Sequence, residues 1–495
     1  MSRRRLLSRR LLGTLAVLVA TASLCVPAAS ASRFIEHGIF DDAQIHYGNP
    51  DVVFPMLRQL RSQLLRINLQ WGGVNGVARR RPARPANPAD PAYDWAVYDR
   101  TVNYAQQYGL KVVFAIIGTP PWANKAAGVN VAPKNPLDLQ RFAAAAATRY
   151  SGTYEAEDGR ILPPVLRWLA WNEPNTPVFL RPQFRLVRGK QVIQSAIDYA
   201  KICNAIVKGV RVTRVGAAKV ACGVTAPRGN NNPNTSRQSV SPLVFLRAMH
   251  KAGARGFTAY AHHPYYGGPN ETPSTLPPGG MRGQAATAVT LGNINTLIAE
   301  VTRLFGKKRI WITEYGYQTT PPDPVAGVPP ARHGALYAWG EELAYRDPRV
   351  ASIAQFLLLD DQPVEGFAGA DPRRWVTWQS GLFDSENRRK PFERDYRLPL
   401  HVTSDPDTVT VFSALRSTPA GSGILGALVS RVPVRAEIQH ASDGGAWRKL
   451  RAVEIRSARG YLDADLTRVE PGRLRVVWLD PESGRRMPTR EERVP

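Results

Sequence analysis

The sequence predicts an α/β fold, a (β/α)8 TIM barrel followed by a small all-β sandwich, on three observations. From Ser32 to about Leu398 short apolar runs alternate with longer amphipathic segments, the texture of repeated βα units around a parallel sheet. Eight such apolar runs occur, the number that closes a barrel. After Pro399 helical periodicity disappears and alternating strands between Gly/Asp/Ser turns replace it. At 495 residues the chain exceeds what one ordinary core holds. The expected division is a leader over residues 1–31, a barrel over 32–398 and a sandwich over 399–495.

The leader carries Arg3, Arg4, Arg5, Arg9 and Arg10, then an apolar run from Leu11 to Val26, then Ala29-Ser30-Ala31. This is the pattern of a secretory signal peptide cleaved before Ser32. The run is too short and too rich in small residues to span a bilayer, and no later stretch approaches the length needed. The expected protein is therefore secreted, without a membrane anchor. Ser8-Arg9-Arg10-Leu11-Leu12 resembles a twin-arginine export signal, with chance pairing in an arginine-rich chain as the competing reading. Leu24 directly before Cys25 argues against a lipoprotein anchor.

The barrel strands are expected at Phe34–Phe40, Leu64–Leu69, Lys111–Ile117, Val165–Trp171, Val220–Thr225, Phe257–His262, Arg309–Thr313 and Ile353–Leu359. Apolar residues at helical spacing place helices at Tyr93–Tyr108, Pro136–Tyr150, Ser195–Val212, Pro242–Lys251, Thr287–Phe305 and Ala331–Tyr345. The polar loops Arg79–Pro91 and Arg228–Ser241 and the Gly/Pro-rich stretch Gly267–Gly283 then fall at the C-terminal ends of strands, where barrel chemistry sits. In the sandwich, strands are expected at Thr408–Leu415, Val434–His440, Leu450–Arg456 and Arg473–Leu479. Without a low-complexity linker, the two parts are expected to pack together rather than to be tethered.

The formal charge is +25, of which the five leader arginines supply 5. Lys and Arg are spread through helices, loops and the C-terminal region rather than clustered with aromatics, so a nucleic-acid partner is not expected. An anionic polysaccharide or cell envelope is a secondary expectation. Cys203 and Cys222, the cysteines left after cleavage, read equally as one disulfide or as two buried thiols. A monomer without metal or other cofactor is expected.

Two carboxylates carry the candidate chemistry. Trp168-Leu169-Ala170-Trp171-Asn172-Glu173-Pro174-Asn175 ends the fourth strand, and Trp311-Ile312-Thr313-Glu314-Tyr315-Gly316 ends the seventh. Loops at those ends converge on one mouth, so Glu173 and Glu314 are expected to face each other. Cleaving a glycosidic bond with retention needs such a pair: an acid for the leaving oxygen and, about 5 Å away, a carboxylate that attacks the anomeric carbon.

Asn-Glu-Pro after strand four and Thr-Glu-Tyr-Gly after strand seven resemble glycoside hydrolase clan A, with families 39 and 5 nearest. That resemblance implies Glu173 as general acid/base, Glu314 as nucleophile and Asn172 as partner of the sugar 2-hydroxyl. Arg66 in Leu64-Leu65-Arg66-Ile67-Asn68 is similar to the clan arginine beside the nucleophile, and His263-Pro264-Tyr265 supplies the His and Tyr that border it. Thr119-Pro120-Pro121-Trp122-Ala123 resembles a family 39 segment, so Trp122 is a candidate platform for a sugar face, as are Trp378, Trp71 and Trp375. The sequence departs from the clan in placing Phe356-Leu357-Leu358-Leu359 where many members have a tryptophan. The C-terminal part resembles fibronectin-III-like sandwiches of secreted bacterial enzymes, for which a packing or spacer role is expected.

The resemblance implies a carbohydrate substrate with an equatorial, β-type linkage or a matching arabinofuranoside. Physically, an arginine and a tyrosine hydroxyl should hold Glu314 ionised, while Trp168 and Trp171 around Glu173 should raise its pKa. Competing readings are a metal-dependent hydrolase using His262 and His263 with Asp360 or Asp361, a non-catalytic carbohydrate-binding barrel, and an envelope adhesion protein. The first lacks a His-x-His after strand one, which His37 and His46 do not supply. The second would be favoured by loss of either carboxylate, and both are present.

Overall fold

The structure is a computed structural model that describes residues 32, 35–213, 215–277, 285–369, 371–416, 434–455 and 459–494. The leader, its twin-arginine motif and Cys25 lie outside the described residues. Eight parallel strands close a barrel in sequential order. They are β1 Glu36–Phe40, β2 Leu64–Gln70, β3 Lys111–Ile117, β4 Arg167–Ala170, β5 Lys219–Thr225, β6 Ala259–His262, β7 Arg309–Tyr315 and β8 Val350–Phe356. Closure comes from β1, which pairs Phe40 with Arg66 of β2 and with Phe356 of β8.

A helix follows each strand: α1 Pro50–Gln59, α2 Ala96–Gln107, α3 Pro136–Arg149, α4 Gln194–Arg211, α5 Pro242–Lys251, α6 Ile294–Phe305, α7 Pro330–Arg346 and the short α8 Pro391–Arg397. Five of them begin with proline, whose fixed φ suits the first turn and whose missing N–H is not needed there. Before Pro50 and Pro136 the side chains of Asn49 and Asn135 accept from the backbone N–H of Asp51 and Leu137, capping α1 and α3.

Period-two alternation sorts the strands into two cores. Leu64, Val113, Ala115, Leu169, Ala221, Ala259, Ala261 and Trp311 fill the barrel. Leu65, Ile67, Val112, Phe114, Trp168, Val220, Tyr260 and Ile310 pack outward into the helix layer. At the N-terminal end of the barrel, Glu36 is buried among Lys111, Arg167 and Arg459; burial alone would raise its carboxyl, but Arg167 and Lys111 hold it below the usual range.

Cys203 of α4 and Cys222 of β5 form a disulfide with a Cα–Cα distance of 6.0 Å, so the oxidised reading holds. It ties a helix to the strand that follows it across 19 residues of chain. A ring of that size stabilises by about 3 kcal/mol through restriction of the unfolded chain. Urea unfolding of a Cys203→Ala/Cys222→Ala variant is expected to show that loss, with no change in the native far-UV spectrum.

The C-terminal strands are β9 Leu400–Ser404, β10 Thr408–Ala414, β11 Val434–Ala441, β12 Arg448–Ile455, β13 Tyr461–Thr467, β14 Gly472–Leu479, β15 Arg486–Pro488 and β16 Glu492–Val494. They build two antiparallel sheets, β9-β10-β13 and β12-β11-β14-β15, with β16 also on β14. Val411, Ile438, Leu462, Leu474, Val476 and Trp478 form the core between them. Phe412, Ala414 and Tyr461 pack into the barrel's outer core, so the two parts are joined by apolar contact, as expected without a linker.

A buried polar cluster crosses that junction. Arg416 donates to Glu341 of α7 at 2.5 Å, both fully buried, and its guanidinium lies 3.9 Å from the Tyr396 ring centroid. His37 of β1 hydrogen-bonds Tyr461 and lies 3.4 Å from the other Glu341 oxygen. Removing one partner of such a pair strands the other charge, which costs about 3–5 kcal/mol. Arg416→Met is expected to lose that much in chemical denaturation, and Arg416→Met/Glu341→Gln to recover part of it.

Every expected strand lies within three residues of an observed one, while the sandwich strands Leu400–Ser404, Tyr461–Thr467, Arg486–Pro488 and Glu492–Val494 were not expected. The largest shift is β8, expected at Ile353–Leu359 and found at Val350–Phe356. Pairing of Ser352 with Glu36 fixes its register, and the chain leaves the sheet after Phe356, where the Asp41 carboxylate accepts from the N–H of Leu358 and Leu359 at 3.2 and 3.1 Å.

Candidate active site

Irregularities at the ends of β4, β5 and β7 aim the site residues. Strict alternation would turn Glu314 away from the barrel axis, since Trp311 already points inward. Between β7 and β8, however, Ile312 faces Ile353 while Tyr315 faces Gln355, so β7 carries one extra residue. This bulge lets Thr313 and Glu314 both reach the mouth. At β4 the chain leaves the sheet through Trp171 and Glu173, at φ +72° and +33°. The Glu173 N–H donates at 2.9 Å to the carbonyl of Val224, inside a second bulge of β5. Gly223, in that bulge at φ +91°, lies so close to the Tyr260 ring that a Cβ would overlap it.

The expected residues largely meet. His263 Nδ1 is 2.9 Å from Glu173 Oε1 and 3.4 Å from Glu314 Oε2. Tyr265 donates its hydroxyl to Glu314 Oε2 at 3.1 Å. Arg66 Nη2 donates to Asn172 Oδ1 at 2.6 Å, and its Nη1 is 3.4 Å from Glu314 Oε1. That last contact is an ion pair without hydrogen-bond geometry: Arg66 Nη1 and Glu314 Oε1 are both buried and lack a hydrogen bond. Buried orphans facing one another in a cleft are where a ligand or water completes the network. Asn172, with its oxygen engaged by Arg66, keeps Nδ2 for a ligand.

Three supporting residues escaped sequence reading. Thr313 Oγ1 holds His263 Nε2 at 2.9 Å, and Phe40 underlies the Arg66 guanidinium at 3.7 Å. Asp42 accepts from the N–H and the Nδ2 of Asn68 at 2.9 and 2.7 Å. Phe40 was findable, because it ends β1 and neighbouring β2 carries Arg66.

Burial dominates the electrostatics. It pushes the Glu173 carboxyl up to about 7, with Arg66 opposing. It lowers His263 to about 4, so the imidazole is neutral at neutral pH, hydrogen-bonded to Glu173 and in close approach to Glu314 without a hydrogen bond. Glu314 was expected to be held ionised, yet burial raises it too, against Arg66, His263 and the Tyr265 hydroxyl, with Glu173 adding repulsion. The correction concerns the absolute position only. Arg66 acts on both groups but lies 3.4 Å from Glu314, which also accepts the Tyr265 hydroxyl, so a single proton shared by the pair resides on Glu173.

The aromatic expectations divide. Trp378 is 39% exposed, stacks on Tyr265 at 5.7 Å and meets Phe356 edge-on at 5.4 Å, bordering the carboxylate cluster. Trp122 is half-buried, donates to the Ala78 carbonyl at 2.8 Å and meets Trp71 edge-on. Trp71 is fully buried and stacked on Phe142, so it is core and not a platform. Trp375 donates to the Gly369 carbonyl under Arg374. Trp168 packs on Phe114 in the helix layer, and the buried Trp171 donates its indole N–H to the Phe179 carbonyl.

Glu173, His263 and Glu314 offer ligand atoms within 4.8 Å of one another, the grouping among the described residues that could hold a metal ion. Arg66 places a positive charge at the same cluster, which opposes a bound cation. His262 takes no part: its ring nitrogens face Thr225 and the Val289 carbonyl, and Asp360 is paired with Lys390. Among the described residues no helix is long and apolar enough to cross a membrane.

The sequence matches no protein-family model and no curated protein. The structure is similar to that of a monomeric β-xylosidase from Caulobacter crescentus CB15, at TM-score 0.49 and 13% identity over 89% of this chain and 95% of that one. It is also similar to an endo-β-1,4-mannanase from Thermotoga petrophila, at TM-score 0.44 and 12% identity over 93% and 97%. The catalytic domain of GH30 xylanase C from Talaromyces cellulolyticus gives TM-score 0.46 and 11% identity over 88% and 98%. These are likenesses of overall shape.

Proposed function

We propose that this chain is a secreted retaining glycoside hydrolase of clan A type, closest in its loop motifs to families 39 and 5. One observation carries the reading: two carboxyl groups, Glu173 and Glu314, share His263 at a barrel mouth with ligand atoms within 4.8 Å, the close spacing of a retaining pair. An inverting enzyme needs roughly 6.5–9.5 Å, to admit water between the groups.

In this reading the ionised Glu314 attacks the anomeric carbon while Glu173 gives its proton to the departing glycosidic oxygen. Glu173, then a carboxylate, takes a proton from water as that water displaces Glu314, and both groups return to their starting states. Tyr265 and Arg66 steady Glu314, Asn172 binds the 2-hydroxyl, and Trp378 borders the sugar site, with Trp122 further out. The substrate is a β-linked oligo- or polysaccharide or a matching arabinofuranoside, and the reaction needs no cofactor. The protein is monomeric, with a catalytic part over 32–398 and a supporting sandwich over 399–495.

The test is product release by the protein expressed from Ser32 onward across chromogenic glycosides and plant, fungal and bacterial polysaccharides. Turnover lost in Glu314→Gln supports the reading; intact binding without turnover on a broad panel supports a binding barrel instead. The pH profile gives a further expected result. Glu173 must be protonated to act as acid and titrates at about 7, so kcat/KM should fall tenfold per unit above that pH. Below it the loss should follow protonation of Glu314.

A further inference from the structure

One side of the mouth carries exposed charged and aliphatic side chains that take no part in the bond-breaking steps. The loops after β2, β3 and β4, residues 71–95, 118–135 and 171–193, contain ten Lys/Arg and three acids, Asp90, Asp94 and Glu173. The loops after β7 and β8, residues 316–329 and 357–390, contain seven acids and five cations. The basic loops form one ridge. Val129 lies beside Gly73 and Gly118, Asn130 Nδ2 donates to the carbonyls of Pro177 and Val178 at 3.0 and 3.3 Å, and Arg181 Nε donates to Asn130 Oδ1 at 2.8 Å. The chain then runs into a hairpin of Phe184–Val187 against Lys190–Ile193.

Large aliphatics stand exposed along this ridge: Val74 at 88%, Val178 at 70%, Leu186 at 63%, Val129 at 48% and Val187 at 42%. At the hairpin tip they alternate with charge in Arg185-Leu186-Val187-Arg188-Gly189-Lys190. Among the described residues Lys125, Arg181, Arg185, Arg188 and Lys190 form no ion pair. Exposed aliphatics normally occur singly, and a contiguous set marks an interaction surface.

We infer that this ridge docks the barrel, mouth first, on an anionic lipid surface. Aliphatics interleaved with Lys/Arg suit the boundary between headgroups and acyl chains, the aliphatics entering it and the cations meeting phosphates. An acidic glycan would use the cations but gain little from valine and leucine; sugar faces stack on aromatic rings, and none of the ridge's exposed side chains is aromatic. Docking brings the cleft over glycans carried on lipid. That consequence rests on the proposed hydrolase reading, whereas the binding itself does not.

The experiment is co-sedimentation of the protein expressed from Ser32 onward with phosphatidylglycerol/phosphatidylcholine vesicles and with phosphatidylcholine alone. Binding is expected only to the anionic vesicles and should weaken as salt rises. Each cation near such a surface strengthens binding about five-fold, so Arg185→Glu/Arg188→Glu/Lys190→Glu should weaken it by at least ~100-fold. Leu186→Ser/Val187→Ser should weaken it about tenfold at unchanged melting temperature. No binding to anionic vesicles, parent-like binding by both variants, or retention by polygalacturonate gels without vesicle binding would overturn the inference. Vesicle binding that persists in a protein inactive on every glycoside keeps the inference and removes the hydrolase reading.

Discussion

Glu314→Gln is expected to lower kcat by ~10^4-fold or more on any substrate the parent turns over. Glutamine keeps the shape and the Tyr265 contact but cannot form the ester to the anomeric carbon. Glu314 is buried and its ionised form is disfavoured there, which favours the amide, but the buried Arg66 loses its ion-pair partner, so the melting temperature of the variant is measured alongside activity to separate the loss from unfolding. Glu314→Ala opens space on the face that attacks. Azide added to it should enter there and give a glycosyl azide of inverted configuration, detectable by NMR.

Glu173→Gln is expected to cost about 10^2–10^4-fold on substrates with a sugar leaving group, the range over which a positioned acid acts. With a dinitrophenolate leaving group, which departs without a proton, the first step should be nearly unaffected and a burst should precede slow turnover. Azide should restore turnover of Glu173→Ala with retained configuration, because it replaces the water that Glu173 activates. The loss of kcat/KM above pH 7 should vanish in Glu173→Gln, since the group titrating at about 7 is gone. Opposite azide stereochemistry in the two variants separates nucleophile from acid/base without any assumption about pKa values.

The barrel was legible because each strand is a short apolar run flanked by helical periodicity; Glu173, Glu314 and His263 each follow such an expected run, and Arg66 lies inside one. Other features needed three dimensions. Helices α1 and α8 were not among the expected helices, because the apolar face of α1 is short and α8 has two turns. Whether Cys203 reaches Cys222 depends on how α4 lies on β5. The choice between His262 and His263 is one of strand parity, and the bulges of β5 and β7 that admit Val224 and Glu314 leave no mark in composition. Trp71 and Trp378 look alike in sequence because both follow strands; one is seated under α3 by Phe142 and the other rests on Tyr265 at the surface. The pull of Arg66 and Tyr265 on Glu314 was foreseen, whereas the depth of burial that outweighs it was not.

The account rests on Glu314 as the attacking group. The most direct measurement is labelling by a panel of cyclophellitol-type epoxides and aziridines, which trap a glycosidase nucleophile as a stable ester, followed by peptide mass mapping. The account predicts one equivalent of label on Glu314, none in Glu314→Gln and protection by substrate. A label on Glu173, or substrate turnover giving an inverted first product with no member of the panel attached, would contradict it.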